Sequence, residues 1–339
     1  MKSAHLMAGA RQGGAELFFE RLIPALHQAG QDILPIIRRD HDRAARLAAA
    51  GTRPLQLTFG GRLDLMTRPR LFTALSRFAP RVAVAWMGRA ARHAPTGPWV
   101  LVGRLGGTYP ITQFKRCDHL IGNTPGMVSW IKDQGFPAAR THLLPNFAPD
   151  LSGAAPAALP APQGAPKILA MGRLHRAKAF DVLLAALTRL PTAHAFIAGD
   201  GPERHPLATL ARQAGIADRA HFLGWRTDTA ALLAACDVLV CPSRQEPLGN
   251  VILEAFSAGK PVVASMAEGP SWLLEGGTRG ILVPTDSAIA LAAGIEGMLT
   301  NPDMAHRMAE AGRRHFEENF AEQAVIHAWR HFSATVEKP

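Results

Sequence analysis

Twice along its 339 residues the chain runs through the same alternation: a short apolar run, a Gly-rich or polar loop, then a stretch with apolar residues at helical spacing. Apolar runs of three to five residues that read as strands, separated by helical stretches, need crossover connections and burial on both faces. Few architectures meet that demand. The pattern predicts α/β domains built on doubly wound parallel sheets. In the first half the strand-like runs are Ala4–Ala8, Ile33–Ile37, Val82–Trp86, Trp99–Gly103 and His119–Asn123. In the second they are Lys167–Met171, His194–Ala198, His221–Leu223, Asp237–Cys241, Pro261–Ala264 and Gly280–Val283.

Helical spacing fills the intervals. Ala15–Ala29 carries Leu17, Phe18, Leu22, Ile23 and Leu26 on one stripe and stops at Gly30. Asp42–Ala50, Leu71–Phe78, Phe180–Leu190, Leu207–Ala214, Thr229–Ala235, Ala288–Leu299 and Met304–Phe316 follow the same rule. Between the halves, Ser152 to Pro166 is rich in Pro, Ala and Gly and nearly uncharged, the composition of a semi-extended linker. The expected domains are residues 1–151 and 167–316, joined by a linker at 152–166. A C-terminal helix at 317–339 could return to the first domain. Two such sheets would face each other across a ligand cleft.

Composition removes several function classes. Apolar residues make up 47% and charged residues 19%, which suits a globular protein. The longest apolar run, near Leu282–Leu299, is broken by Pro284, Asp286 and Glu296, so no spanning helix is expected. Met1–Met7 does not read as a signal-peptide core. Three scattered cysteines (Cys117, Cys236 and Cys241) suit reduced thiols in a cytoplasm rather than disulfides or zinc. The net charge of +10 is lopsided: residues 1–150 hold 20 Lys and Arg against 9 Asp and Glu, residues 151–339 hold 17 against 18. Much of the excess lies in Arg62, Arg68, Arg70, Arg77, Arg81, Arg89 and Arg92. With a single Tyr and 6% aromatic residues, stacking platforms for nucleic acid are scarce. An anionic membrane surface or an acidic, lipid-linked substrate is the better partner.

Chemistry concentrates in Ser243–Glu254. This loop joins the carboxyl end of an apolar run to a helical stretch, where open α/β sheets bind ligands. Gly249 and Asn250 would offer backbone N–H groups at a helix start, a natural anion site. Glu246 and Glu254 bracket it. Phosphate on one side and hydroxyls on the other describe a nucleotide-sugar. The other glycine loop, Gly9-Ala10-Arg11-Gln12-Gly13-Gly14, has the spacing G-x-x-x-G-G, and no acidic residue ends the second strand at Ile37, so it departs from the dinucleotide fingerprint.

The second half resembles retaining glycosyltransferases of family 4, which have the two-lobed GT-B fold. The resemblance rests on four segments in order over about residues 166–285. They are Met171-Gly172-Arg173-Leu174 followed by Lys178, Ala198-Gly199-Asp200-Gly201-Pro202, Phe222-Leu223-Gly224-Trp225, and the Glu246…Glu254 stretch. In the first half Gly13-Gly14-Ala15-Glu16 and Pro145-Asn146 resemble the family's glycine loop and closing turn. Ala85–Ala90 and Val102–Gly107 are similar to bacterial enzymes that build lipopolysaccharide core. One departure is plain. Where many members carry a histidine, this chain has Gly103-Arg104-Leu105-Gly106-Gly107-Thr108-Tyr109.

The resemblance implies a donor site made by Gly13, Gly14, Arg173, Lys178, Gly201, Glu246, Leu248, Gly249, Asn250, Val251 and Glu254. Arg173, Lys178 and the helix start would stabilise charge developing on the leaving diphosphate. Glu254 would bind ribose hydroxyls and Glu246 would sit by the sugar ring, making Glu246, Arg173 and Lys178 the catalytic set. No Asp-x-Asp pair is present to hold a metal, and no cofactor is expected beyond a UDP-, GDP- or ADP-sugar donor. The implied acceptor is an anionic, lipid-linked saccharide at the inner face of the cytoplasmic membrane, and nucleic acid is not an expected partner. Two alternatives stay open: a nucleotide-sugar binding protein without turnover, and a GT-B enzyme acting on a soluble acceptor. A glycosidase is less compatible, because both glutamates lie in one strand–loop–helix unit rather than on opposite sides of a sugar.

Overall fold

The computed structural model describes residues 1–10, 13–61 and 64–339. Arg11 and Gln12 of the first glycine loop and Arg62 of the basic run lie outside the described residues. The chain forms two compact units: Met1–Asn146 with Glu322–Pro339, and Phe147–Ala321.

Among the described residues the first unit is built on seven parallel strands: β1 (Lys2–Met7), β2 (Asp32–Arg38), β3 (Leu55–Leu57), β4 (Val82–Trp86), β5 (Val100–Arg104), β6 (His119–Gly122) and β7 (Thr141–Leu143). Their order is β3-β2-β1-β4-β5-β6-β7, so the winding reverses between β1 and β4. Leu6 opposes Ile36 on one side and Ala85 on the other, and all three are buried. The second unit has β8 (Lys167–Met171), β9 (His194–Ala198), β10 (Ala220–Gly224), β11 (Val238–Cys241), β12 (Val262–Ser265) and β13 (Ile281–Val283). Their order, β10-β9-β8-β11-β12-β13, reverses between β8 and β11. Continuous apolar strands are what a sheet covered on both faces requires. β4, β5, β9, β11 and β12 are buried throughout.

Local signals set the helix starts. Asp40 accepts from the Arg43 N–H at 3.0 Å ahead of His41–Ala49, and Thr124 from Met127 N–H at 3.1 Å ahead of Pro125–Asp133. Asn301 does the same for Met304 N–H at 3.1 Å before Pro302–Asn319. The basic helix begins earlier than its apolar spacing indicates, at Thr67, where Asp64 accepts from the Thr67 N–H at 3.0 Å.

Three boundaries differ from the sequence reading. The first unit ends at Asn146 rather than at residue 151, because Phe147 and Ala148 are buried and the Ala148 N–H donates to the Phe320 carbonyl within the second unit. The Pro/Ala tract 152–166 is not a free connector. Ala157 N–H donates to the Ala231 carbonyl, and Leu151, Ala157, Leu159 and Ala161 pack on the second unit's core beside Phe256 and Phe320. The final helix, Glu322–Thr335, belongs to the first unit from its first residue. Trp329 stacks on Trp86 with centroids 6.2 Å apart, and the Arg81 guanidinium donates to the Ser333 and Val336 carbonyls.

Candidate donor site and candidate active site

The site in the second unit is assembled at the reversal between β8 and β11. Gly172 continues β8 and its N–H donates to the Ala198 carbonyl at 3.0 Å; the Gly199 N–H donates to the Gly224 carbonyl at 2.8 Å. Leu174 N–H bonds the Asp200 carbonyl at 3.0 Å, so the loops after β8, β9 and β10 are stacked by backbone hydrogen bonds. The stacking demands glycine at 199. A Cβ there would lie 1.9 Å from the Gly172 carbonyl oxygen. Gly201 sits behind the same seam against Leu174 and does not line the cavity.

The stacked loops and the helix Asn250–Ser257 enclose a cavity of about 260 Å³. Gly172, Arg173, Gly199 and Trp225 line it from the strand ends, and Val251 and Glu254 line it from the helix. Arg173 is exposed and Glu254 half-buried. A guanidinium and a carboxylate in one small cavity can take an anion and a diol together. Trp225 is 77% exposed at this cavity, an unusual state for so large an apolar ring. With Arg226, Thr229 and Leu232 it forms a wall that the sequence reading did not assign. The available signal was Gly224-Trp225-Arg226, a polar-aromatic loop at a strand's carboxyl end.

The Ser243–Glu254 loop is anchored on both sides. Arg244 reaches Asp181 at 2.9 and 2.6 Å, and its backbone N–H donates to the Ala177 carbonyl at 2.8 Å. The Gly269 N–H donates to the Glu246 carbonyl at 2.8 Å. Leu248 is buried beneath, and Gly249 takes φ of +87°, the left-handed turn that starts the helix. Intrahelical bonding begins with Ile252 N–H to the Gly249 carbonyl at 2.9 Å. Asn250 and Val251 precede it and present the helix's N-terminal end.

Glu246 is 9% exposed, with its carboxylate ion-paired to the Lys178 ammonium. The Ser243 hydroxyl donates to the same oxygen at 3.3 Å. The family resemblance implies Lys178 at the diphosphate and Glu246 at the sugar; the structure joins the two side chains, so each orients the other. Arg173 and Glu254 share the cavity, whereas Lys178 and Glu246 form the adjoining pair.

Gly13 and Gly14 belong to the first unit. Gly14 opens the helix Gly14–Gln28, and Gly13 lies against the Glu16 carboxylate, whose other oxygen accepts from the Ala10 N–H at 2.7 Å. In the loop that lacks the histidine, Arg104 is fully buried, with its guanidinium carbon 4.4 Å from the Trp86 ring centroid. One nitrogen donates to Asn146 Oδ1 at 2.5 Å, and burial pushes its pKa down to about 9. The arginines that read as one basic run have separate tasks. Arg81 fastens the final helix, Arg89 and Arg92 line a cavity, and Arg68, Arg70 and Arg77 remain exposed.

Two doubly wound sheets, with a cation–carboxylate cavity at the reversal of the second, make up the GT-B fold. Residues 154–315 match the family model for glycosyl transferases group 1. The chain is 34% identical to the lipopolysaccharide core biosynthesis glycosyltransferase LpsE of Rhizobium meliloti strain 1021, over 97% of this chain and 98% of the relative. It is 32% identical to LpsD of the same organism, over 97% of both. The crystal structure of Anabaena HepE in complex with UDP superposes with a TM-score of 0.83, at 21% identity, over 99% of this chain and 100% of that one. The chain belongs to the glycosyl transferases group 1 family.

Proposed function

We propose that the protein transfers a sugar, with retention of anomeric configuration, from a nucleoside-diphosphate-sugar to a lipid-linked saccharide of the lipopolysaccharide core. The observation that carries the donor half is the cavity shared by Arg173 and Glu254 beside the Lys178–Glu246 pair. As the glycosidic bond to phosphate breaks, negative charge grows on the diphosphate. Arg173 and the helix start at Asn250 stabilise it, and Lys178 adds a mobile charge. These groups can do this without a metal ion. Glu254 holds ribose hydroxyls, and Glu246 favours positive charge at the anomeric carbon.

Two near-full-length relatives named for lipopolysaccharide core biosynthesis support the choice of acceptor. The location is the cytoplasmic face of the inner membrane. Among the described residues no helix is long and apolar enough to cross a bilayer. Leu65 and Met66 are 79% and 56% exposed, beside the exposed Arg68, Arg70 and Phe72 at and within the helix Thr67–Phe78. Apolar side chains among arginines suit an anionic lipid surface, each well-placed arginine contributing about 1 kcal/mol.

Incubating the protein with UDP-, GDP- and ADP-sugars and a delipidated or lipid-linked core acceptor, with and without EDTA, tests this reading. Nucleoside diphosphate release that survives EDTA and depends on acceptor is expected. Donor binding with neither transfer nor hydrolysis would leave the binding-protein reading standing instead. Co-sedimentation with anionic vesicles, lost in high salt and in Arg68→Gln/Arg70→Gln, tests the location.

A further inference from the structure

A second cavity, of about 430 Å³, lies in the first unit at the carboxyl ends of β1, β2, β4 and β5, across that sheet's own reversal point. Arg38, Arg89 and Arg92 line it, together with Glu16, Tyr109 and Gln113. Its arginines differ from others in the same unit. Arg43 meets Glu20 at 2.8 Å and Asp40 at 3.4 Å, and Arg46 meets Glu20 at 2.6 Å. Arg38, Arg89 and Arg92 have no carboxylate partner among the described residues. Glu16, the carboxylate in the lining, is buried and already accepts from the Ala10 N–H. Burial, then the charges of Arg38 and Arg92, hold the Arg89 guanidinium below its ordinary pKa. Three like charges converge on one cavity whose lining holds one carboxylate, Glu16, so the positive charge is in excess.

The strand position is informative as well. In dinucleotide-binding sheets a carboxylate at the end of the second strand grips a ribose diol, whereas an arginine nearby accommodates a phosphate. Here β2 ends in Arg38, followed by Arg39. Three guanidiniums exceed what one carboxylate's two oxygens require, and they match the three oxygens and near-double charge of a phosphomonoester. Glu16 and Gln113 can then hydrogen-bond hydroxyls, and Tyr109 can cover a sugar face.

We propose that this cavity recognises a saccharide bearing a phosphate monoester, gripped by Arg38, Arg89 and Arg92. The site would select the acceptor and rests on the transferase reading above, yet its binding step needs no turnover. Calorimetric titration with mannose 6-phosphate, glucuronic acid, methyl mannoside and inorganic phosphate tests it, using wild type, Arg38→Gln, Arg89→Gln, Arg92→Gln and the off-site control Arg77→Gln, an exposed arginine outside the lining. Wild type and the control should bind the sugar phosphate at millimolar concentrations or below, more weakly in high salt. Each cavity variant should lose about tenfold or more, as expected when one charge-assisted hydrogen-bonding group is removed. Unchanged circular dichroism and donor binding in the variants would show that they are folded.

Equal binding of methyl mannoside would overturn the proposal, as would no sugar-phosphate binding by wild type or undiminished binding by the three variants. Inorganic phosphate binding as tightly as the sugar phosphate would reduce the site to an anion trap. A preference for glucuronic acid would replace the phosphate by a carboxylate and refute this assignment. Nucleotide-sugar hydrolysis by the same samples separates these failures from failure of the transferase reading.

Discussion

Replacing Lys178 by Met removes one half of the Lys178–Glu246 pair and tests two roles at once. The Glu246 side chain is 11% exposed and that of Lys178 25%, so the carboxylate would keep only the Ser243 hydroxyl after the change. A hydrogen bond to a charged group contributes about 1.5–3 kcal/mol. The quarter exposure of Lys178 places the loss near the lower end, about 1.5–2 kcal/mol in folding stability. Glu246→Gln should cost a similar amount, and the double variant should cost less than the two together by about 1 kcal/mol, since the second change removes an interaction already lost. Urea denaturation midpoints read this directly. Donor kinetics read the second role. If Lys178 also attends the diphosphate, Lys178→Met raises donor KM about tenfold, both alone and in the Glu246→Gln background, whereas Glu246→Gln acts mainly on kcat. Additive stability losses would refute the pairing, and an unchanged donor KM in Lys178→Met would refute the phosphate role.

Three further outcomes follow from the same geometry. Glu254→Ala should raise donor KM about tenfold or more with a smaller change in kcat, measured by steady-state kinetics, if the proposed hydrogen bonds to the ribose hydroxyls are lost with the carboxylate. Gly199→Ala forces a Cβ to 1.9 Å from a backbone carbonyl oxygen and should destabilise by about 1–3 kcal/mol or more, seen as a fall of several degrees in Tm with weakened donor binding. Burial pushes the His5 pKa down from 6.5 to about 3, so the unfolded chain takes up a proton that the folded chain refuses. The stability from neutral His5 is therefore complete above pH 6.5 and is lost as pH falls toward 3, by up to about 1.4 kcal/mol per pH unit. Tm recorded from pH 7 to 4.5 should fall less steeply in His5→Gln than in wild type.

Much of the fold could be read from the chain because parallel strands buried on both faces advertise themselves as unbroken apolar runs. β3 and β7 escaped because Leu55-Gln56-Leu57 and Thr141-His142-Leu143 are short, carry polar residues and are mostly unburied, so neither forms an apolar run. The tract 152–166 read as a linker because Pro and Ala dominate it. Its attachment depends on Leu151, Leu159 and Ala161 finding apolar surface on the second unit, which only tertiary structure reveals. At the site, Arg173, Glu254 and the Gly249 turn were legible because each sits at a strand's carboxyl end or a helix start. The Lys178–Glu246 contact was not, since 68 residues separate its partners. The place of Trp225 at the cavity is not legible in the sequence, which cannot distinguish an exposed ring from a buried one. The basic run likewise conceals three different environments, those of Arg81, Arg89 and Arg70.

The central claim is that the cavity of Arg173 and Glu254 holds a nucleotide-sugar whose sugar leaves with its anomeric configuration kept. Proton NMR of a reaction containing the purified protein, an α-linked nucleotide-sugar and a core saccharide acceptor follows both features together. The account predicts release of nucleoside diphosphate with appearance of an α-linked product, abolished in Arg173→Ala. A β-linked product would contradict retention, and full activity in Arg173→Ala would contradict the site.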